Sequence, residues 1–247
     1  MRYAIALMTV ALLWTGCRPD IEMYPTATFD TLGVQWMVIE RNNMTYYYQG
    51  TGVKAASIYS DLHEEAYDRL EAVFNPVLPY KLRYFVWTDW KQAQQLFGTP
   101  EWVAGLAFSR SCMCHVRADI NLGHEMTHVL AYWAEGVEPN SYSRFINEGV
   151  AVAFDQRDHD KMEEAKNTVS QYSLNSITEL WADSLETAPH ELIYPVGGAF
   201  MEYMYSNTTR SEYIALLKNQ ALPDAEKVFG KERLDRFIAD FDSQLGL

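Results

Sequence analysis

The chain has 247 residues, 48% of them apolar, the composition of a packed globule, which excludes disorder as the default state. Its 20 Lys and Arg stand against 33 Asp and Glu, a formal charge of -13. That balance repels phosphate backbones and offers no basic stripe, so nucleic acid is not an expected partner.

In chain order, Met1-Arg2 is followed by an apolar run from Tyr3 to Trp14, then Thr15-Gly16-Cys17, after which the chain turns polar. The run is too short for a permanent spanning helix and has the layout of a secretory signal. It resembles a bacterial lipoprotein signal, in which small residues precede a cysteine that is lipidated and becomes the mature N-terminus. Trp14 departs from the Leu, Val or Ile usual at that place. The resemblance implies a signal over residues 1–16, a lipid on Cys17, and a tether over 17–30. It also implies anchorage at the bacterial cell envelope, at the outer membrane or cell surface, without a spanning helix. An ordinary secretory signal with an incidental cysteine is the alternative.

Alternation over Val34 to Ile39 and the aromatic run Thr45 to Tyr48 predict two strands separated by the Asn42-Asn43 turn. Ala55 to Phe74 carries Ile58, Leu62, Ala66, Leu70 and Val73 at helical spacing, ended by Pro76 and Pro79. A strand over Lys81 to Trp87 and a short helix over Asp89 to Phe97 follow, closed by Gly98-Thr99-Pro100. Trp102 to Val116 reads as one extended segment, Ile120 to Trp133 as a helix, and Ser143 to Phe154 as a helix apolar on nearly every side. From Lys161 onward the pattern is helical throughout. Strands mixed with helices first and helices last predict an α+β fold, with an α+β lobe over 31–135 and a helical lobe over 136–247.

The chemistry concentrates at His124-Glu125-Met126-Thr127-His128. Four residues of helix bring both imidazoles to one face a turn apart, where they can share an ion. Glu125 lies at the rim of that face, placed to take a proton from a water on the metal. The pattern arises by chance in roughly one chain in a hundred, so it needs a second line of support. Glu148 supplies one. It interrupts the apolar run Phe145 to Phe154, where an unpaired carboxylate costs several kcal/mol unless a cation faces it. A hydrolytic zinc wants three protein ligands and an open position, and His124, His128 and Glu148 make that set.

His-Glu-x-x-His followed by Asn147-Glu148-Gly149-Val150-Ala151 resembles the gluzincin metallopeptidases, the group that includes thermolysin and the zinc aminopeptidases. The resemblance spans residues from about 44 to the end and implies a zincin-like fold, in which a mixed sheet and an active-site helix precede a mostly helical C-terminal lobe. It implies Zn2+ as cofactor, a peptide or protein as substrate, and an edge strand just before the metal helix, here within Trp102 to Val116, where substrate pairs by its backbone. Tyr194-Pro195-Val196-Gly197-Gly198-Ala199 looks like the Tyr-x-x-Gly-Ala segment of zinc aminopeptidases, which implies that Tyr194 hydrogen-bonds the oxyanion. Two departures stand out. The Gly-x-Met-Glu-Asn motif that recognises a free amino terminus is absent from Val103 to Val116, so exopeptidase specificity has no support. The Asp that in thermolysin-like enzymes orients a ligand histidine is replaced by Val152, and Asp155 is the nearest substitute.

Rival readings attach to several residues. Glu148 could instead pair with Arg144, and Tyr194 could be one of 16 tyrosines filling the core. Cys112, Cys114 and His115 could form a soft metal site, the alternative being buried strand thiols; a bridge between the two cysteines would be strained. His63, His159 and His190 have no partners at telling distances. Against zinc-dependent hydrolysis stand two further possibilities: an envelope lipoprotein that uses the same scaffold as a binding or assembly module, and a structural surface protein without metal. An intact Glu125 favours hydrolysis, because a pure binder has no need of a general base.

Overall fold

The computed structural model describes residues 34, 36–50, 52–100, 103–118, 122–157, 159–182 and 187–247. The expected signal, Cys17 and the tether lie outside the described residues, as do Trp102 and Ile120. Among the described residues no helix is long and apolar enough to cross a membrane.

Five strands form one mixed sheet: β1 (Met37–Glu40), β2 (Met44–Tyr48), β3 (Leu82–Trp87), β4 (Gly105–Phe108) and β5 (Met113–Arg117). Their order is β1-β2-β3-β5-β4, with β2, β3 and β5 parallel and the two edge strands antiparallel to their neighbours. The parallel pairs need crossovers, supplied by α1 (Val53–Phe74) between β2 and β3 and by α2 (Trp90–Phe97) with β4 between β3 and β5. The pleat sorts the side chains. Tyr46, Tyr84 and Cys114 face a core shared with α1, while Phe85, Trp87 and Met113 face a smaller aromatic core with Trp90, Ala93 and Phe97 of α2.

Helix α3 (His124–Tyr132) and helix α4 (Arg144–Ala153) follow, then α5 (Lys161–Val169), α6 (Thr178–Trp181), α7 (His190–Asn207), α8 (Arg210–Lys218), α9 (Leu222–Phe229) and α10 (Lys231–Leu245). The expected α+β order with helices last is therefore present. The larger core runs from Met44 to Leu245 and includes side chains on both sides of residue 135.

Three local expectations are corrected. The buried face of α1 is Ala56, Ser60, His63, Ala66, Tyr67, Leu70 and Phe74, whereas Ile58 and Leu62 are exposed. The helix presses small and polar residues against aromatic rings: His63 lies 4.3 Å from the Tyr84 ring and its Nδ1 is bonded to the Tyr59 carbonyl, so its polarity is satisfied locally and hydropathy spacing misses it. The segment expected to be extended up to Val116 is two antiparallel strands joined by a 3-10 turn at Ser109–Ser111 and by Cys112, which adopts φ 49° without glycine to signal it. The metal-motif helix begins at His124, because Gly123 at φ 102° breaks the chain direction just before it.

Helices α4 and α7 cross closely next to Glu148. A Cβ on Gly149 of α4 would lie 2.6 Å from the Gly197 carbonyl oxygen of α7, and one on Gly197 would lie 2.8 Å from the Phe145 carbonyl oxygen. The two backbones touch where glycine alone fits, with Glu148 next to Gly149 on α4 and Tyr194 one turn before Gly197 on α7. Gly149→Ala should cost about 1–3 kcal/mol in chemical or thermal unfolding, the usual penalty for overpacking; an unchanged midpoint would mean that the helices part freely.

Candidate metal centre

Helix α3 packs on β4 and β5, and α4 packs against α3, which places the sequence-predicted ligands together. One donor atom from each of His124, His128 and Glu148 lies within 4.8 Å of the other two. Glu148 Oε2 stands 3.6 Å from His124 Nε2 and 3.5 Å from His128 Nε2. The imidazoles are edge to face, with centroids 5.0 Å apart. The rival partner Arg144 instead donates to the Ala188 carbonyl at 3.0 Å.

The donors fit a cation better than they fit one another. Glu148 is 0% exposed, and neither of its carboxylate oxygens has a hydrogen-bond partner; the same holds for both ring nitrogens of buried His128 and for Glu125 Oε2. Buried polar atoms are nearly always paired, so five orphans at one point mark a place built for something else. Imidazole nitrogen and carboxylate oxygen are a donor set that suits zinc, and three of them leave a coordination position open.

The charges are coupled. Burial pushes Glu148 up, but the two imidazoles that face it, His128 above all and His124, outweigh that and hold its carboxyl well below the usual range. Burial pushes His128 down, and Glu148 with the nearby Asn147 side chain more than reverses that, leaving the imidazole above its ordinary value of 6.5. Glu125 is raised above 4.5 by burial, which the two histidines oppose and Glu148 reinforces.

Glu125 lies against the edge strand β4. A Cβ on Gly105 would collide with its carboxylate, so that carboxylate occupies the space of a side chain at residue 105. The sequence reading missed this contact, although a lone glycine in a strand is the signal for a close approach. Tyr194 is half-buried on α7 with its ring parallel to that of His124, 5.8 Å between centroids. Asp155 makes no hydrogen bond to His124 or His128. Its carboxylate accepts from Arg157 Nε at 2.7 Å and from the Arg157 backbone N–H at 3.2 Å.

The soft-ligand rival is not assembled. Cys114 points into the core under α1 and α3, while His115 points to the opposite face, stacked on Phe85 at 4.4 Å and accepting from Trp87 Nε1 at 3.0 Å. Cys112 and Cys114 are free and buried. His159 and His190 pair with Glu164 and Glu191. No protein-family model matches this chain, and no curated protein matches it.

A cation entering the site displaces the proton that Glu148 favours on His128. Because the His128 value is raised, that competition grows as the pH falls toward and through it. Zinc titration should therefore show affinity weaker by roughly tenfold or more at about pH 6 than at about pH 8, with proton release on binding. An affinity constant across that interval would contradict this account of the site.

Proposed function

We propose that this chain is a zinc-dependent peptidase of gluzincin type, held at the bacterial cell envelope by a lipid on Cys17. The observation that carries the reading is the fully buried Glu148, its oxygens unpaired and aimed at two imidazoles on the neighbouring helix. When bound, zinc supplies Lewis acidity, which acidifies a water and polarises a carbonyl.

The residues around it have distinct work. Glu125, desolvated and raised in pKa, accepts the proton of the attacking water and passes it to the leaving amine. Tyr194, alongside His124, donates a hydrogen bond to the oxygen on which negative charge develops. The β4 strand is an edge strand antiparallel to the rest of its pair and lies directly under Glu125, a placement that suits an extended peptide pairing by its backbone. The mixed sheet, its edge strand and the helix that carries the two histidines support the same reading, of which a zincin-like fold is part. The anchoring part rests on the sequence of residues 1–17.

Glu125→Gln keeps the shape of the side chain and removes the base. Cleavage of a generic fluorogenic peptide library should fall on the order of a hundredfold or more, with zinc still bound at one per chain. Cleavage at the parental rate by that variant would show that this chain is no such peptidase.

A further inference from the structure

The adjoining ends of the two ligand-bearing helices are capped only in part: at the end of α3 the Trp133 and Ala134 N–H groups reach the Val129 and Ala131 carbonyls, which leaves the Tyr132 carbonyl to a partner from outside the helix. Helix α3 has no basic residue in its last turn, and α4 has no side-chain cap at its start. Both ends are finished by the connection between α8 and α9. Lys218, 7% exposed, donates from Nζ to the Tyr132 carbonyl at 2.7 Å and to the Ala131 carbonyl at 3.2 Å, in the last turn of α3. Two residues on, the Gln220 side-chain oxygen accepts from the Ser143 N–H at 3.1 Å, immediately before α4.

The connection is itself held in place. The Asn140 N–H donates to the Lys218 carbonyl at 2.7 Å, the Ala221 N–H to Ser141 Oγ at 3.1 Å, and Trp181 Nε1 to the Gln220 carbonyl at 2.7 Å. A buried ammonium is a costly way to fill space, whereas at a helix C-terminus it satisfies orphan carbonyls and complements the negative end of the dipole. Burial draws the Lys218 pKa down to about 8, with Glu135 and Glu138 acting the other way, so the ammonium form persists at neutral pH.

We propose that the Lys218–Gln220 segment is the positioning element of the metal centre: capping α3 one turn beyond His128 and α4 one turn before Glu148, it sets the separation between imidazoles and carboxylate. This rests on the reading of His124, His128 and Glu148 as metal ligands. The segment touches none of the three; it acts through the helix ends.

The test uses the full chain, with zinc affinity measured by competition against a chromophoric chelator and site geometry by the visible d–d spectrum of the cobalt-loaded protein. Lys218→Met and Gln220→Leu should each bind zinc on the order of tenfold more weakly and shift the cobalt bands. Leu234→Ala, which opens a cavity on α10 without removing any hydrogen bond of the segment, should lower thermal stability and leave affinity and bands unchanged. A folded Lys218→Met with parental affinity and spectrum overturns the proposal, as does a Leu234→Ala that moves both readouts equally. If Lys218→Met does not fold, Gln220→Leu, which removes only the side-chain bonds to the Ser143 N–H and the Leu217 carbonyl, decides between the same two results. A parent chain that binds no zinc overturns the metal centre itself and the positioning role with it, and that failure is recognisable because it shows in the parent.

Discussion

A carboxylate buried between two helices with nothing but imidazole nitrogens to face is the constraint on which the rest of this structure depends. Glu148 stands in an apolar run, takes no hydrogen bond, and has two rings at 3.5 and 3.6 Å. Without a positive charge between them, such a group is destabilising by several kcal/mol or must change its protonation state. A proton on His128 would relieve part of that, and a divalent ion would relieve it more completely because it would also use the orphan lone pairs.

Once the carboxylate is placed, the surrounding packing is a set of solutions to holding it there. Gly149 and Gly197 let α7 approach α4 until backbones touch, which carries Tyr194 to His124. Gly105 leaves room on the edge strand for the Glu125 side chain. The sheet below is filled by aromatic rings on both faces, including neutral His63 and His115, whose pKa values burial drives down, in the case of His63 to about 4. These two histidines are core residues, and the Nδ1 atom of each is engaged, that of His63 with the Tyr59 carbonyl and that of His115 with the Trp87 indole.

How much of this could be read from the residues depends on the range of the signal. His124 and His128 are legible because a helix turn is a local rule, and Glu148 because a lone carboxylate in an apolar run needs a partner whatever the fold. The α+β order is legible from periodicity, as are the α2 helix and its boundary at Gly98. The buried face of α1 is not, since it runs through Ser60 and His63 and depends on rings contributed by other strands. Nor is the turn at Ser109 to Cys112, which lacks the glycine or proline that would announce it. Lys218 reaches carbonyls 86 and 87 residues away, and no local pattern encodes that. Asp155, the nearest acidic substitute in the sequence for the residue at Val152, has its carboxylate taken by Arg157 two residues along.

The most direct measurement is zinc K-edge X-ray absorption on the purified chain loaded with one equivalent of zinc. The account predicts a first shell of nitrogen and oxygen alone at about 2.0 Å, with the multiple-scattering pattern of two imidazoles. A sulfur shell at about 2.3 Å, which would place the ion on Cys112 or Cys114, or a spectrum of hydrated zinc with no imidazole, would contradict it.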